Sequence, residues 1–457
     1  METLYQNAQT VKRLKEYFQP YLCLLTQPSG IKFFLILLAM LSMQFVTSIR
    51  NIYQWFLSGI YDTSLNSYYH LLSYADIPLD AFLRITVKTA LSLIPKEIKG
   101  LPVFLIIDDT MQAKFGTHFE CYKTMFDHAK HNGSNYLKGH CFVALTVAVP
   151  LIIEGSVRYL NVPVGFRMRG EDENKLKIAS KMIDNAMLIM ADYPMSILLC
   201  DSWYPKGDIL KTVKQYKNLE LIANVRVDTS IFELPPPPTG KPGAPRKKGR
   251  ALDIHKDFSF IRIGEYYIAV KHVITNLFEG QVYLTVTTPD LLKYDAYRVF
   301  ISTAAPEALR KQYNGMEKKL SDSLLSQIPW LLPLFLYSFR WSIEICFYEL
   351  KTFWSFGLYM LRSKKGIENL INMLAMAYAS MKILPVSDPK YSHLINESAQ
   401  TAKYVFGDAI KQEIFLWRFV SKTEGPINSQ EIFAALSELA LPDRQAVDDI
   451  DDIKDAV

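Results

Sequence analysis

The residues best suited to chemistry fall in two kinds of place. Tyr337, Arg340, Glu344 and Lys351 lie in the largely apolar stretch YSFRWSIEICFYELK, at successive spacings of three, four and seven. On an α-helix these positions fall within roughly 60° of one another, so a phenol, two cations and a carboxylate share one face. Arg340 and Glu344 are also an ordinary i,i+4 pair, which taken alone describes a surface helix stabilised by a few tenths of a kcal/mol. The second kind of place is the end of a strand: PVFLIIDDT stops at Asp108-Asp109 and SILLCDSWY at Asp201. A carboxylate at the end of a buried strand must be solvated, paired or metal-bound. Asp108 or Asp109, with Asp201 and Glu344, offers the hard oxygen donors that suit Mg²⁺. Two such ions about 3.5 to 4 Å apart can drive an in-line phosphoryl displacement. Arg, Lys and Tyr on the same helix face would then hold the substrate phosphate.

These residues must be positioned by the elements around them. Residues 1–98 read as helical, with apolar positions recurring at three and four, and form a helical N-terminal domain with possible DNA binding. No helix-turn-helix can be assigned in them. From Leu101 the order is three strands (PVFLIIDDT, GHCFVALTVAVPLII, SVRYLNVPVGFRMR), a helix, the strand SILLCDSWY, a helix and the strand LELIANVRV. The pattern breaks after Val227 at LPPPPTGKPGAPRKKGR, which proline and glycine exclude from helix and central strand. Its Lys241, Arg246, Lys247, Lys248 and Arg250 make it a basic loop, either solvated or facing a polyanion. Three further strand patterns follow, FSFIRIGEYYIAVKHV, GQVYLTVTTPD and YRVFISTA, then helical PEALRKQYNGMEKKLSDSLLSQ, the YSFRW helix, and helical segments closing on an acidic tail.

Composition bounds the partners. A chain of 457 residues, 49% hydrophobic, can bury a large core. Its formal charge of +5 includes a C-terminal decapeptide with five Asp and one Lys, so the remainder is more basic and suits a polyanion. Five scattered cysteines without C-x-x-C spacing fit a reducing, cytoplasmic setting and suggest no structural zinc. The apolar runs Ile31 to Val46 and Leu331 to Leu336 fall short of the roughly 20 residues of a membrane span, so a buried helix is expected for the first and no membrane partner.

Tyr337-x-x-Arg340-x-x-x-Glu344-x6-Lys351, with its RW-x-IE-x-x-F context, resembles the tyrosine-arginine-glutamate-lysine signature of DDE transposases from bacterial insertion sequences, the IS-four-like group. IIDDT resembles that group's first-aspartate strand and LLCDSWY its second; LKGH at 137–140 and the GKPGAPRKKG loop are weaker likenesses. The resemblance covers roughly residues 100–380. It implies an α/β fold: a ribonuclease-H-like catalytic core (99–227 and 321–385) interrupted by a β-rich insertion domain (228–320), with a helical C-terminal region (386–457). It implies metal-dependent cleavage at transposon ends and attack of the freed 3′-hydroxyl on target DNA, with two Mg²⁺ ions, Mn²⁺ as substitute. Double-stranded DNA, as terminal inverted repeats and target, is the implied partner, bound by a homodimer on paired ends. Asp201 and Glu344 would be metal ligands; Tyr337, Arg340 and Lys351, with Arg246, Lys247 and Lys248, would contact DNA. For the first ligand a D-x-T pattern favours Asp108 with Thr110 third, and Asp109 is the alternative; on a strand the two point to opposite faces. A transposase-derived DNA-binding protein that no longer cuts is the competing reading. Trp203 and Trp341 are read as core aromatics ahead of base-stacking platforms. Lys114, His128 and His140 lie where they would approach DNA, although a satisfied structural histidine is the commoner case.

Overall fold

The computed structural model describes residues 10–116, 118–126, 133–237, 246–313 and 329–422; the expected acidic tail, His128, Lys241 and residues 314–327 of an expected helix lie outside them. In chain order the helices are α1 (Thr10–Leu22), α2 (Gln27–Ser42), α3 (Ile49–Trp55), α4 (Leu65–Ser73), α5 (Leu79–Ser92), α6 (Lys175–Met190), α7 (Asp208–Gln215), α8 (Pro306–Tyr313), α9 (Leu332–Tyr337), α10 (Trp341–Phe353), α11 (Lys364–Ser387) and α12 (Ala399–Lys422). The strands are β1 (Val103–Ala113), β2 (Lys123–Phe126), β3 (Tyr136–Ile153), β4 (Ser156–Met168), β5 (Ser196–Cys200), β6 (Leu219–Val225), β7 (Ile231–Phe232), β8 (Ala251–Leu252), β9 (Ile261–Ile263), β10 (Tyr266–Thr275), β11 (Gln281–Thr288) and β12 (Arg298–Ser302). The chain divides into two compact units: Pro78–Glu349, and Met1–Ile77 with Leu350–Val457.

The second of these units is helical. From Phe33 to Ser42, α2 is buried on every side, as expected of a helix with no polar stripe. It contacts α1, α4, α11 and α12. α12 crosses it at Gly407, where a Cβ would lie 2.7 Å from the Leu41 carbonyl oxygen, so only glycine permits that approach. The Glu413 carboxylate accepts the backbone N–H groups of Thr10 at 2.7 Å and Val11 at 2.8 Å, satisfying donors that the first turn of α1 cannot pair internally. Among the described residues α11 is the one helix long and apolar enough by composition to cross a bilayer, and 83% of its most apolar stretch is buried within the fold. Leu331 to Leu336 and Ile31 to Val46 were the runs singled out from sequence; α11 was the longer apolar helix and was missed, because Glu368, Lys382 and two N-terminal lysines interrupt it.

The other unit is built on one mixed sheet of 12 strands. β1, β3 and β4 are antiparallel neighbours, and β5 and β6 add parallel strands to the other side of β1, giving the order β4-β3-β1-β5-β6. Three antiparallel strands followed by two parallel ones is consistent with a ribonuclease-H-like core. Val103 to Ile107 are fully buried, which accounts for their continuous apolar run; such strands are covered on both faces. α5 and α6 pack together on one face with β3 and β4, so α5, read from sequence as part of the N-terminal helical segment, belongs with the sheet. The strands expected in a β-rich insertion continue the same sheet, because β12 pairs antiparallel with β6 and leads on through β11 and β10.

Two local differences from the sequence reading bear on the site. β2 was not foreseen; its four residues pair with the start of β3 and extend the hairpin beyond β1. The stretch Tyr337–Lys351 is not one α-helix: α9 ends at Tyr337, Ser338–Arg340 is a 3₁₀ turn, and α10 begins at Trp341. At three residues per turn, positions three apart eclipse, so Tyr337 and Arg340 lie one above the other rather than 60° apart.

Gly139, in the LKGH stretch, pairs with Ala113 across β1 and β3 and lies against the backbone of Gln112. A Cβ there would sit 2.0 Å from the Gln112 carbonyl oxygen, with backbone that cannot rotate aside. Gly139→Ala is therefore expected to cost about 3 kcal/mol, the upper end for overpacking. Urea denaturation checks this, and an unchanged midpoint would show that β1 and β3 separate freely.

Candidate active site

Strand register brings Asp108 and Asp201 together. β1 and β5 run parallel with Ile107 level with Cys200. The next residues, Asp108 and Asp201, thus lie side by side on neighbouring chain segments about 4.8 Å apart; β5 ends before Asp201 as expected, whereas β1 does not stop at its aspartates but continues to Ala113, held by pairing with β3. The Asp201 Oδ1 accepts the backbone N–H of Trp203 at 3.0 Å, which holds the carboxylate at the turn after β5.

Glu344 is linked to Asp108 through Arg340 and projects from α10, which docks on the face of the sheet that Asp108 shares with Phe104. Phe104 stacks on Phe339 with centroids 5.0 Å apart, and Phe166 meets Phe347 at 6.3 Å. The Asn161 side-chain amide donates to the Ser342 carbonyl at 3.1 Å. With the helix so placed, a single nitrogen of Arg340, Nη1, donates to Asp108 Oδ2 at 2.8 Å and to Glu344 Oε1 at 3.3 Å. Arg340 and Asp108 are both shielded, with side chains 14% and 12% exposed. Burial, then the Asp201 carboxylate, pushes the Asp108 carboxyl up to about 8; Arg340 opposes this and Glu344 adds to it. Asp201 is also raised, first by burial.

Asp109 points to the other face and is held by different groups. Its Oδ1 accepts from Lys175 Nζ at 2.8 Å and from the Tyr204 hydroxyl at 2.9 Å, and its Oδ2 accepts from the Cys141 thiol at 3.3 Å. Burial, then the Asp109 charge, raises both the Cys141 thiol and the Tyr204 phenol, so each stays protonated as a donor. Lys175, Tyr204 and Cys141 were not singled out from sequence. Lys175 opens α6 behind a capping Asn174, and no spacing ties a residue 66 positions away to Asp109.

The remaining residues divide. Tyr337 is half-buried against Phe300 of β12, with centroids 4.9 Å apart, and burial raises its phenol. Lys351 lies on α10 seven residues beyond Glu344, past the point where the division into units falls. Arg246 and Lys247 are exposed, while Lys248 bonds Asn276 and lies 4.6 Å from the Phe232 ring centre. Arg250 is committed to Glu233 at 3.1 Å and Asp257 at 2.9 Å. This basic segment is next to β8, seven strand steps from β1, or roughly 30 Å across the sheet; the structure does not bring it to the carboxylates.

Both tryptophans correct the core reading. Trp341 is 63% exposed at the start of α10 and Trp203 is 37% exposed. Lys175 and Lys206 lie 3.9 Å and 4.4 Å from the centre of the Trp203 ring. The ring borders a cleft of about 260 Å³ lined by Arg169, Lys175 and the turn Glu171 to Asn174. His140, in contrast, is the structural histidine: it is fully buried, with Nε2 3.0 Å from the Glu120 carbonyl oxygen. Lys114 is buried nearby.

Residues 21–260, more than half of the chain, match the family described as DDE superfamily endonuclease. The chain belongs to that family. No curated protein matches it. Family membership implies a DNA substrate, and the matched region contains Asp108 and Asp201, whereas Glu344 lies beyond it. The family implies a divalent ion. The donor chemistry fits one in kind: Asp108 and Glu344 share a cation, and the Asp201 carboxylate is beside Asp108. Among the described residues, however, no three His, Cys, Asp or Glu side chains are gathered tightly enough to chelate an ion as they stand, and Arg340 lies between two of the candidates.

Two outcomes are expected. Removing one partner of a shielded ion pair strands the other charge, so Lys175→Met should cost about 3 kcal/mol in chemical denaturation; a loss under about 1 kcal/mol would mean that water screens the pair. Burial, the largest cause, depresses His140 to about 4 from an ordinary 6.5. The unfolded chain then binds a proton that the folded chain refuses, so stability present above pH 6.5 is lost as the pH falls toward 4, by up to about 3 kcal/mol. His140→Gln should flatten that slope in denaturation curves taken across the window; an unchanged slope would assign it to other groups.

Proposed function

We propose that this DDE superfamily endonuclease is a transposase, which cuts DNA at the ends of a mobile element and joins the freed 3′-hydroxyl to target DNA. The observation that carries the reading is Arg340 joining Asp108 of β1 to Glu344 of α10, with Asp201 beside Asp108 just past the end of β5. Asp108 is favoured over Asp109 as the first carboxylate, since Asp109 is committed to Lys175, Tyr204 and Cys141 on the opposite face.

Asp108, Asp201 and Glu344 would hold Mg²⁺, or Mn²⁺ in its place and two ions where both sites fill; bound there, the metal supplies Lewis-acid stabilisation of the scissile phosphate and a more acidic attacking hydroxyl. The chain's own residues do the rest. Arg340 offers a planar fork of donors that suits a phosphate. Tyr337 precedes the 3₁₀ turn that carries Arg340 and keeps its proton, so it would donate rather than repel. Lys351 adds a cation farther along the helix. Exposed Arg246 and Lys247 would meet duplex about one helical turn from the cut, contributing affinity without sequence information. Two copies on paired ends complete the reading.

The test is cleavage of a labelled duplex carrying the flanking inverted repeat, with Mg²⁺. Glu344→Gln and Asp201→Asn should each lower the rate by at least about 10³-fold while duplex binding stays within about threefold. Cleavage persisting in both variants would remove these carboxylates from the chemistry; binding without cleavage in the wild type would turn the reading to a non-cutting DNA-binding protein.

A further inference from the structure

We propose that Arg340 and a divalent cation compete for the same carboxylate oxygens, and that the substrate phosphate, by taking the guanidinium, admits the cation. The proposal deepens the transposase reading and rests on it, since it takes Asp108 and Glu344 as metal ligands.

The argument begins with where Arg340 spends its charge. One nitrogen serves both Asp108 Oδ2 and Glu344 Oε1, at 2.8 and 3.3 Å. A cation bound to those oxygens would sit in contact with the guanidinium, where like charges in a shielded site repel strongly. Arg340 cannot escape by losing a proton, because a guanidinium does not titrate in a protein. It must move. Its backbone belongs to the 3₁₀ turn between α9 and α10, where the helical hydrogen-bonding pattern changes over, and such turns are common hinges.

What would draw it away is also set by chemistry. Two separate carboxylates each accept one bond from Nη1, an arrangement that leaves the fork geometry unused. A phosphate takes two parallel N–H bonds from the same group. Lys175, whose charge is also felt at Asp201, pairs with Asp109 on the opposite face. Arg340 is therefore a positioning residue with two partners, and its exchange between them couples metal to substrate. By linkage, DNA tightens the metal and the metal tightens DNA by the same factor.

The test measures Mn²⁺ binding directly, following the free ion by electron paramagnetic resonance, on the full chain with and without saturating inverted-repeat duplex. Wild type should bind Mn²⁺ about tenfold more tightly with duplex than without, within the usual range of coupling. Arg340→Gln should bind it about tenfold more tightly than wild type without duplex, and gain less than about threefold on adding it. Lys206→Gln removes an equal charge beside Trp203 and should leave both wild-type affinities within about threefold, which separates displacement from a general change in field. Circular dichroism melts accompany each variant. Should Arg340→Gln not fold, Arg340→Lys decides: its ammonium lacks the fork, so duplex-free Mn²⁺ affinity should rise by about threefold. The proposal is overturned if the Arg340 variants bind Mn²⁺ no more tightly than wild type without duplex, or if duplex tightens the metal equally in Arg340→Gln and wild type. Mn²⁺ bound by no form would overturn it together with the metal-ligand reading, an outcome distinct from the first two.

Discussion

The site depends on the burial of one carboxylate. Val103 to Ile107 are inaccessible to solvent and Asp108 follows directly, so its charge leaves water without leaving the core. An unpaired carboxylate there would cost several kcal/mol or give up its charge. Arg340 is the response, but it can serve only if the segment before α10 is fixed on the sheet. Phe339, the residue before it, stacks on Phe104, four positions before Asp108 and on the same face of β1. Aromatic packing and the ion pair are thus one device: the stack sets where the helix lands, and the landing brings a guanidinium to the carboxylate. Separating the energies of the two would need a double-mutant cycle, since neighbours of this kind do not add.

β1 solves the same problem twice in consecutive residues. Alternation sends Asp108 toward α10 and Asp109 toward α6, and each meets a cation. The two solutions differ in finish. Asp109 has three donors, a lysine, a phenol and a thiol, and is nearly saturated. Asp108 has one backbone N–H and a guanidinium shared with Glu344. A saturated carboxylate holds structure together, whereas an undersatisfied one beside two others has capacity for a further ligand. The asymmetry gives the adjacent aspartates different work without any difference in residue type.

Much of this was legible in the sequence, for identifiable reasons. Strands buried on both faces read as unbroken apolar runs, and β1, β3, β4, β5 and β6 were recognisable on that basis. Asp201 and Glu344 were visible because a carboxylate stands out against apolar neighbours. What could not be read depends on contacts distant in the chain. Lys175 meets Asp109 across 66 residues, and nothing in KLKIASK distinguishes that lysine from a solvated one. Trp203 looked like core because tryptophan is mostly buried; the turn that ties its N–H to Asp201 instead leaves the ring among two lysine side chains. The described basic residues of the loop, Arg246 to Lys248 and Arg250, are exposed as expected, but their distance from the carboxylates follows from strand order, which composition does not encode.

Strand order also explains how Asp201 and Arg340 belong to one site although 138 intervening residues separate them. After β6 the chain leaves the parallel part of the sheet, builds β7 to β11, and returns as β12 directly beside β6. α8 follows, and α9 packs near β6 before α10 reaches Asp108. The strands that interrupt the sequence are in this way continuous with the structure that holds the site. Phe300 of β12 makes this concrete: it bears on Tyr337, the last residue before the 3₁₀ turn that carries Arg340. An insertion joined by a flexible tether could not fix that turn. One paired to β6 can, so the extension of the sheet supports the same helix that the Phe104 stack docks, from the opposite side of Asp201's strand.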